Sequence, residues 1–188
     1  MEKPLWRRRS STYLIESPHL RIRSDEVELP SGVVLPNYYV RESLGFVMIF
    51  ALTPAREVVL VRQYRYGIDE VIIELPAGSI DPGEDPLACA QRELTEETGY
   101  TAPRWEPLCV VPAEPVRSNS YVHAFLAFDA AQTHPQNLDA AEAMEPFTVS
   151  LDALRALLRT DAIGAISCVG VAYTALDKLR NCSSEPKG

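Results

Sequence analysis

The stretch from Gly78 to Tyr100 reads GSIDPGEDPLACAQRELTEETGY, and its spacing lays out a loop followed by one short helix. Asp85 is a good N-cap, and Pro86 suits the first helical position, where no amide donor is needed. Gly99 is the residue expected in a left-handed C-terminal cap. Between them Leu87, Ala90 and Leu94 form a narrow apolar face able to dock on a sheet. Glu93, Glu96 and Glu97 stand at i, i+3 and i+4, which places three carboxylates on one helix face. They occupy the last turns, where the negative end of the helix dipole disfavours them. Each like-charge pair costs about 0.2–0.5 kcal/mol on a free helix, so a surface built for stability alone would carry Lys or Arg here. A solvated charged face explains neither the spacing nor the placement. A divalent cation explains both.

Outward from this segment the chain alternates strand and turn signals. Glu74-Leu75-Pro76-Ala77-Gly78 and the run Ser79 to Gly83 read as a loop rich in turn residues. Gly45 to Leu52 and Val58 to Tyr64 are apolar runs expected as central strands, and Val71 to Leu75 leads into the loop. Beyond the helix, Trp105 to Val111, Tyr121 to Phe128 and the short Phe147 to Val149 are strand-like. Leu151 to Arg159 and Ser167 to Leu179 read as helices, and Asn181 to Gly188 as a frayed tail. Ahead of the central strands, Leu20 to Leu29 alternates as a half-exposed strand. Pro30-Ser31-Gly32 turns the chain, and Val33 to Val40 returns as a second strand. Met1 to Ser11, with Trp6-Arg7-Arg8-Arg9, reads as a surface segment. There are no internal repeats.

Composition narrows the class. A chain of 188 residues suits one soluble enzyme with a sizeable core. With 18 Lys and Arg against 26 Asp and Glu, the formal charge is −8, which disfavours general binding to nucleic acid or an anionic membrane. The four cysteines, Cys89, Cys109, Cys168 and Cys182, have neither metal-ligand pairing nor disulfide-scaffold density, so free thiols in a reducing cytoplasm are expected. No signal peptide and no membrane-spanning apolar run are read. His19, His123 and His134 have no ligand-like spacing.

Gly78, Glu84, Arg92, Glu93, Leu94, Glu96, Glu97, Gly99 and Tyr100, taken with their intervals, resemble the signature of the Nudix hydrolases, with no position departing from it. The resemblance implies an α+β fold, an α/β/α sandwich with a mixed β-sheet flanked by helices, here with a small N-terminal antiparallel β unit. It implies Mg2+ or Mn2+ held by Glu93 and Glu97, with Glu96 a ligand or close neighbour and the backbone carbonyl of Ala77 a further ligand. Gly78, Glu84, Arg92 and Gly99 become structural members of the motif, Arg92 pairing with Glu84 or Glu96. The implied reaction is attack of a metal-activated water on a phosphorus of a diphosphate.

The flanks resemble the ADP-ribose pyrophosphatase and nucleoside-diphosphate-sugar branch of that family. The similarity lies in Val61-Arg62-Gln63-Tyr64-Arg65, in the Glu74 to Gly78 run, and in Pro115. This implies cleavage of a nucleoside diphosphate-linked small molecule, with ADP-ribose giving AMP and ribose 5-phosphate as the leading substrate and a GDP- or UDP-sugar as its competitor. Arg65 is the first choice for a substrate phosphate and Arg62 the second, and strand alternation puts them on opposite faces. Pro115 and Arg117, the latter with Ser118 and Asn119, are further substrate-side candidates. Glu142 is the expected general base on a late loop, with Glu145 and Glu96 as alternatives. Residues 1–42 are expected as a homodimerisation appendage, 43–180 as the catalytic domain and 181–188 as a flexible tail. A nucleotide sensor without turnover is the competing class. An RNA-directed enzyme is disfavoured by the absence of a basic stripe.

Overall fold

Runs of β-branched residues buried on both sides make the centre of the molecule a sheet rather than a bundle of helices. In the computed structural model, which describes residues 5–18, 20–138 and 143–182, the strands are β1 (Arg7–Glu16), β2 (Arg21–Glu28), β3 (Val34–Glu42), β4 (Phe46–Leu52), β5 (Glu57–Arg65), β6 (Glu70–Glu74) and β7 (Ala77–Ser79). Helix α1 (Pro86–Thr98) follows. Then come β8 (Tyr100–Thr101), β9 (Arg104–Pro112), β10 (Tyr121–Phe128), β11 (Ala131–Gln132), β12 (Met144–Ser150), α2 (Leu151–Leu157) and α3 (Ile166–Cys182). The chain divides into two compact units, Met1–Gly45 with Pro112–Tyr121, and Phe46–Val111 with Val122–Gly188.

The first unit is a three-stranded antiparallel sheet in the order β1-β2-β3. The segment between β9 and β10 belongs to it: the Arg41 amide donates to Arg117 O (2.8 Å), and the Ser43 amide to Asn119 Oδ1 (3.0 Å). Polar pairing rather than apolar burial fastens β1, every residue of which is exposed. Arg7 pairs with Glu28 at 2.5 Å, and Ser11 donates to the buried Asp25 at 2.6 Å. The arginine run expected as plain surface is therefore part of a strand, because β2 offers acids in register with it.

The second unit holds a seven-stranded mixed sheet. Its path is β12-β5-β4-β10-β9, with β6 on β5 and β7 on β4. The β4–β10 pair is parallel, and β5 pairs antiparallel with β4, β6 and β12. On one sheet face, Cys89, Ala90 and Leu94 of α1 pack with Val47, Ile49, Ala51 and Val59, all fully buried. Cys89 thus supplies much of the helix's apolar face, whereas Leu87 is only half-buried. On the other face α2 packs on β5 and β12, beside Arg62 and Phe147, and α3 packs on β4. The result is the α/β/α sandwich.

Several boundaries differ from the expectations. Ala77–Ser79 forms a strand on β4 instead of a loop, paired with Met48 to Phe46. The strand expected over Phe147 to Val149 extends over Met144–Ser150, because its full length pairs with β5 from Gln63 to Glu57. α2 ends at Leu157, and α3 continues through Asn181 to Cys182.

Candidate active site

The helix bearing the acids is capped as its sequence dictates. Asp85 accepts from the amides of Leu87 (2.9 Å) and Ala88 (3.1 Å), Pro86 opens the helix, and Gly99 takes φ 73°. A Cβ at Gly99 would also lie 2.1 Å from the His134 carbonyl oxygen, so glycine is demanded twice there.

Glu93 and Glu97 are buried, at 9% and 5% exposure, and both face β7. The Ala77 amide donates to Glu97 Oε2 at 3.0 Å. Along β7 the Ile49 amide donates to Pro76 O (2.9 Å) and Met48 faces Ala77. Because hydrogen-bonded pairs alternate in an antiparallel ladder, Ala77 turns both its amide and its carbonyl to the other edge, where Glu97 lies. Glu93 rests against Gly78: a Cβ there would stand 1.8 Å from Glu93 Cδ. The signature glycine is therefore the space in which a carboxylate sits.

Arg92 is the hub of the charges. Its Nε and Nη2 donate to Glu84 at 2.9 and 3.0 Å, and its Nη1 reaches Glu93 at 2.8 Å and Glu96 at 3.0 Å. The Arg92 bonds to Glu84, followed by the Asp81 amide, hold the Glu84 carboxyl down to about 2. The same carboxylates raise Arg92 above its already high value, against the opposing effect of burial. Arg92 offsets part of the repulsion that a divalent cation was expected to offset. One guanidinium already engaged by Glu84 faces three helix carboxylates, two of them buried. Cys89, alongside, is pushed up to about 12 by burial and then by the charge of Glu84, and is an inert thiol.

The acidic end of α1 is pinned by residues that no sequence pattern marks. The Asn137 amide donates to Glu96 O (2.9 Å), and the amides of Thr133 and His134 to Gly99 O (3.0 and 3.1 Å). Gln136 Nε2 donates to Glu97 O at 2.6 Å and to Met144 O at 3.3 Å. These bonds satisfy carbonyls that a helix end leaves orphaned. Glu142, the expected base, lies outside the described residues.

The strand arginines separate cleanly. Val59 faces α1, so Val61, Gln63 and Arg65 share its face. Arg65 Nε and Nη2 both contact Glu74 Oε2 at 2.7 Å. Arg62 lies on the opposite face, where it pairs with Glu145 (2.7 Å) and covers the Phe147 ring at 4.6 Å. The structure thus brings Arg65 to the side of the acids, but not Arg62 or Glu145. Pro115 and Arg117 belong to the first unit, where the Arg117 guanidinium lies 5.0 Å from the Tyr38 ring.

The donor set fits a hard divalent cation. It comprises oxygen atoms only, from Glu93, Glu96, Glu97 and the outward edge of Ala77, with Glu93 and Glu97 buried. Among the described residues no three His, Cys, Asp or Glu side chains are gathered so as to hold a metal ion by themselves. Mg2+ in particular keeps several waters and substrate phosphates in its shell and needs few protein ligands.

A family model described as the NUDIX domain matches residues 44–166. The chain belongs to the Nudix hydrolase family. In that family a divalent metal is generally required. A second model, the nucleoside diphosphate sugar hydrolase N-terminal domain, matches residues 6–40 of this Nudix protein. Among curated relatives, the ADP-ribose pyrophosphatase of Bacillus subtilis is 32% identical over 81% of this chain and 83% of its own. The methanol dehydrogenase activator of Bacillus methanolicus is 31% identical over 85% and 86%. A crystal structure described as an ADP compounds hydrolase superposes with a TM-score of 0.83 over 98% of both chains at 22% identity, a likeness of fold. No described helix is long and apolar enough to cross a membrane.

Proposed function

We propose that this Nudix hydrolase is a pyrophosphohydrolase dependent on Mg2+ or Mn2+, acting on nucleoside diphosphate derivatives, with ADP-ribose cleaved to AMP and ribose 5-phosphate. The observation that carries the reading is the burial of Glu93 and Glu97 against the backbone of β7, with Gly78 opened to admit a carboxylate. Glu93, Glu97, Glu96 and the Ala77 carbonyl would hold the ion. When bound, the divalent cation neutralises phosphate charge and lowers the pKa of a coordinated water toward neutrality. Glu97 is held by the Ala77 amide, and Arg92 fixes Glu93 and Glu96 relative to the loop at Glu84. Arg65, on the same sheet face as α1, offers a planar fork suited to a phosphate oxygen. Glu142 takes the proton as general base. Names of relatives that hydrolyse ADP-ribose, and a leading segment matching a nucleoside diphosphate sugar hydrolase model, support this substrate class.

A GDP- or UDP-sugar is the second substrate to test, given that N-terminal match. The leading unit serves homodimerisation, a role that suits an edge strand exposed along its full length. The protein works in the cytoplasm, in keeping with its free thiols Cys89, Cys109 and Cys168.

The test is hydrolysis of a panel of ADP-ribose, GDP- and UDP-sugars, dinucleoside polyphosphates and capped RNA, with Mg2+ or with chelator. Fast metal-dependent release of AMP from ADP-ribose is expected. Binding of nucleotides with no turnover of any compound would make the protein a sensor instead, and equal rates with chelator would remove the metal from the reaction.

A further inference from the structure

Glu74 is a buried acid that the reaction as described does not use. It is 8% exposed, yet its partner Arg65 is nearly half exposed. Glu74 opposes Val61 in the β5–β6 ladder, so it lies on the α1 face with Arg65. Three residues on, the same chain segment supplies Ala77, whose amide holds Glu97. Glu74 thus lies on the chain segment that meets the acidic helix end. We infer that Glu74 is a positioning residue: it grips the Nε and Nη2 side of Arg65, so that the Nη1 side is presented to a phosphate of the nucleoside diphosphate substrate.

The geometry supports this in three ways. Arg has five N–H donors in a rigid fork. Both contacts run to a single oxygen, Glu74 Oε2, at 2.7 Å, which holds the Nε–Nη2 edge of the guanidinium against Glu74 and leaves the Nη1 donors to a ligand. A free arginine on a strand end would lose rotamer freedom on binding phosphate, and a clamped one has lost it already. Furthermore, a buried carboxylate is tolerated only when paired, so the clamp cannot let go without cost. The exposed Arg62–Glu145 pair on the opposite sheet face has no buried member and provides no such hold.

The inference rests on the reading of Arg65 as a substrate-phosphate residue, and a mutant cycle separates the two. Arg65→Ala, Glu74→Gln and the double variant are assayed for kcat and KM on ADP-ribose with Mg2+, each alongside a thermal melt. Glu74→Gln is expected to lower kcat/KM about tenfold, a displacement of reacting groups by 1 Å being enough to cost about a hundredfold. The double variant should be no worse than Arg65→Ala, and Glu74→Asp should recover part of the loss. An undiminished kcat/KM for Glu74→Gln, or a Glu74→Gln loss of equal size in the Arg65→Ala background, would overturn the positioning role while leaving Arg65 at the phosphate. A wild-type kcat/KM for Arg65→Ala would overturn the reading of Arg65 itself, and the inference with it. If Glu74→Gln does not fold, Arg65→Lys decides. Its point charge cannot grip Glu74 and a phosphate in one plane, so it should fall close to Arg65→Ala, and wild-type kinetics would overturn the inference.

Discussion

Replacing Gly78 by alanine should abolish most activity while leaving the fold in place. A Cβ on this residue would stand 1.8 Å from Glu93 Cδ and 2.1 and 2.2 Å from its two oxygens. Restoring an ordinary contact of 3.4 Å requires the Glu93 carboxyl to retreat by about 1.6 Å. The obstacle is the far end of a flexible side chain, and Gly78 has no positive φ, so the backbone itself tolerates alanine. The structural cost should stay under about 1 kcal/mol, a fall of roughly 2–4 °C in Tm for a protein of this size. The catalytic cost should be far greater, because a carboxylate moved by more than 1 Å no longer meets a cation placed for reaction. A loss of about a hundredfold in kcat follows. Steady-state kinetics on ADP-ribose across a Mg2+ or Mn2+ titration, paired with thermal melts, measure both quantities. Wild-type kcat and metal dependence in Gly78→Ala would refute the idea that Glu93 acts from the space the glycine leaves. Loss of folding would show that the close approach serves packing instead.

Glu97→Gln should lose orders of magnitude in kcat, since a carboxamide is a poor cation ligand, whereas its carbonyl oxygen can still accept from the Ala77 amide. Its metal-free Tm should hold or rise slightly, because a like-charge repulsion worth about 0.2–0.5 kcal/mol is removed; a collapse in Tm would show Glu97 to be a folding residue. Glu84, held down to about 2 from an ordinary 4.5, contributes stability that is complete above pH 4.5 and is lost as pH falls toward 2. Urea midpoints compared at pH 6 and pH 3 should therefore fall less in Glu84→Gln than in the parent; an equal fall would contradict the Arg92–Glu84 anchor. Arg62→Ala should change kcat/KM by less than about threefold and stability by less than about 1 kcal/mol, because its partner Glu145 is exposed on the face away from α1. A tenfold loss would mean that Arg62 reaches the substrate.

The helix and its row of acids were legible because they depend on local spacing. A period of 3.6 residues puts Glu93, Glu96 and Glu97 on one face whatever surrounds them, and Asp85, Pro86 and Gly99 mark their own cap positions. Strands β4, β5 and β10 were readable for the same reason, as apolar runs between turns. What could not be read was every feature decided by a residue distant in sequence. β1 follows from acids on β2, and Ala77–Ser79 becomes a strand only because β4 accepts it. Gln136 and Asn137 give no sign of capping α1, since hydrogen bonds to orphan carbonyls leave no pattern along a chain.

From sequence alone came a helix with three crowded acids, its caps, and two arginines known to occupy opposite sides of one strand. Tertiary packing decided which side counts. α1 settled on the face of Val59, so Arg65 shares that face and pairs with Glu74, and Arg62 turns to Phe147 and Glu145. The alternation of a strand is a property of its own backbone, but the choice of covered face is made by whichever helix packs there.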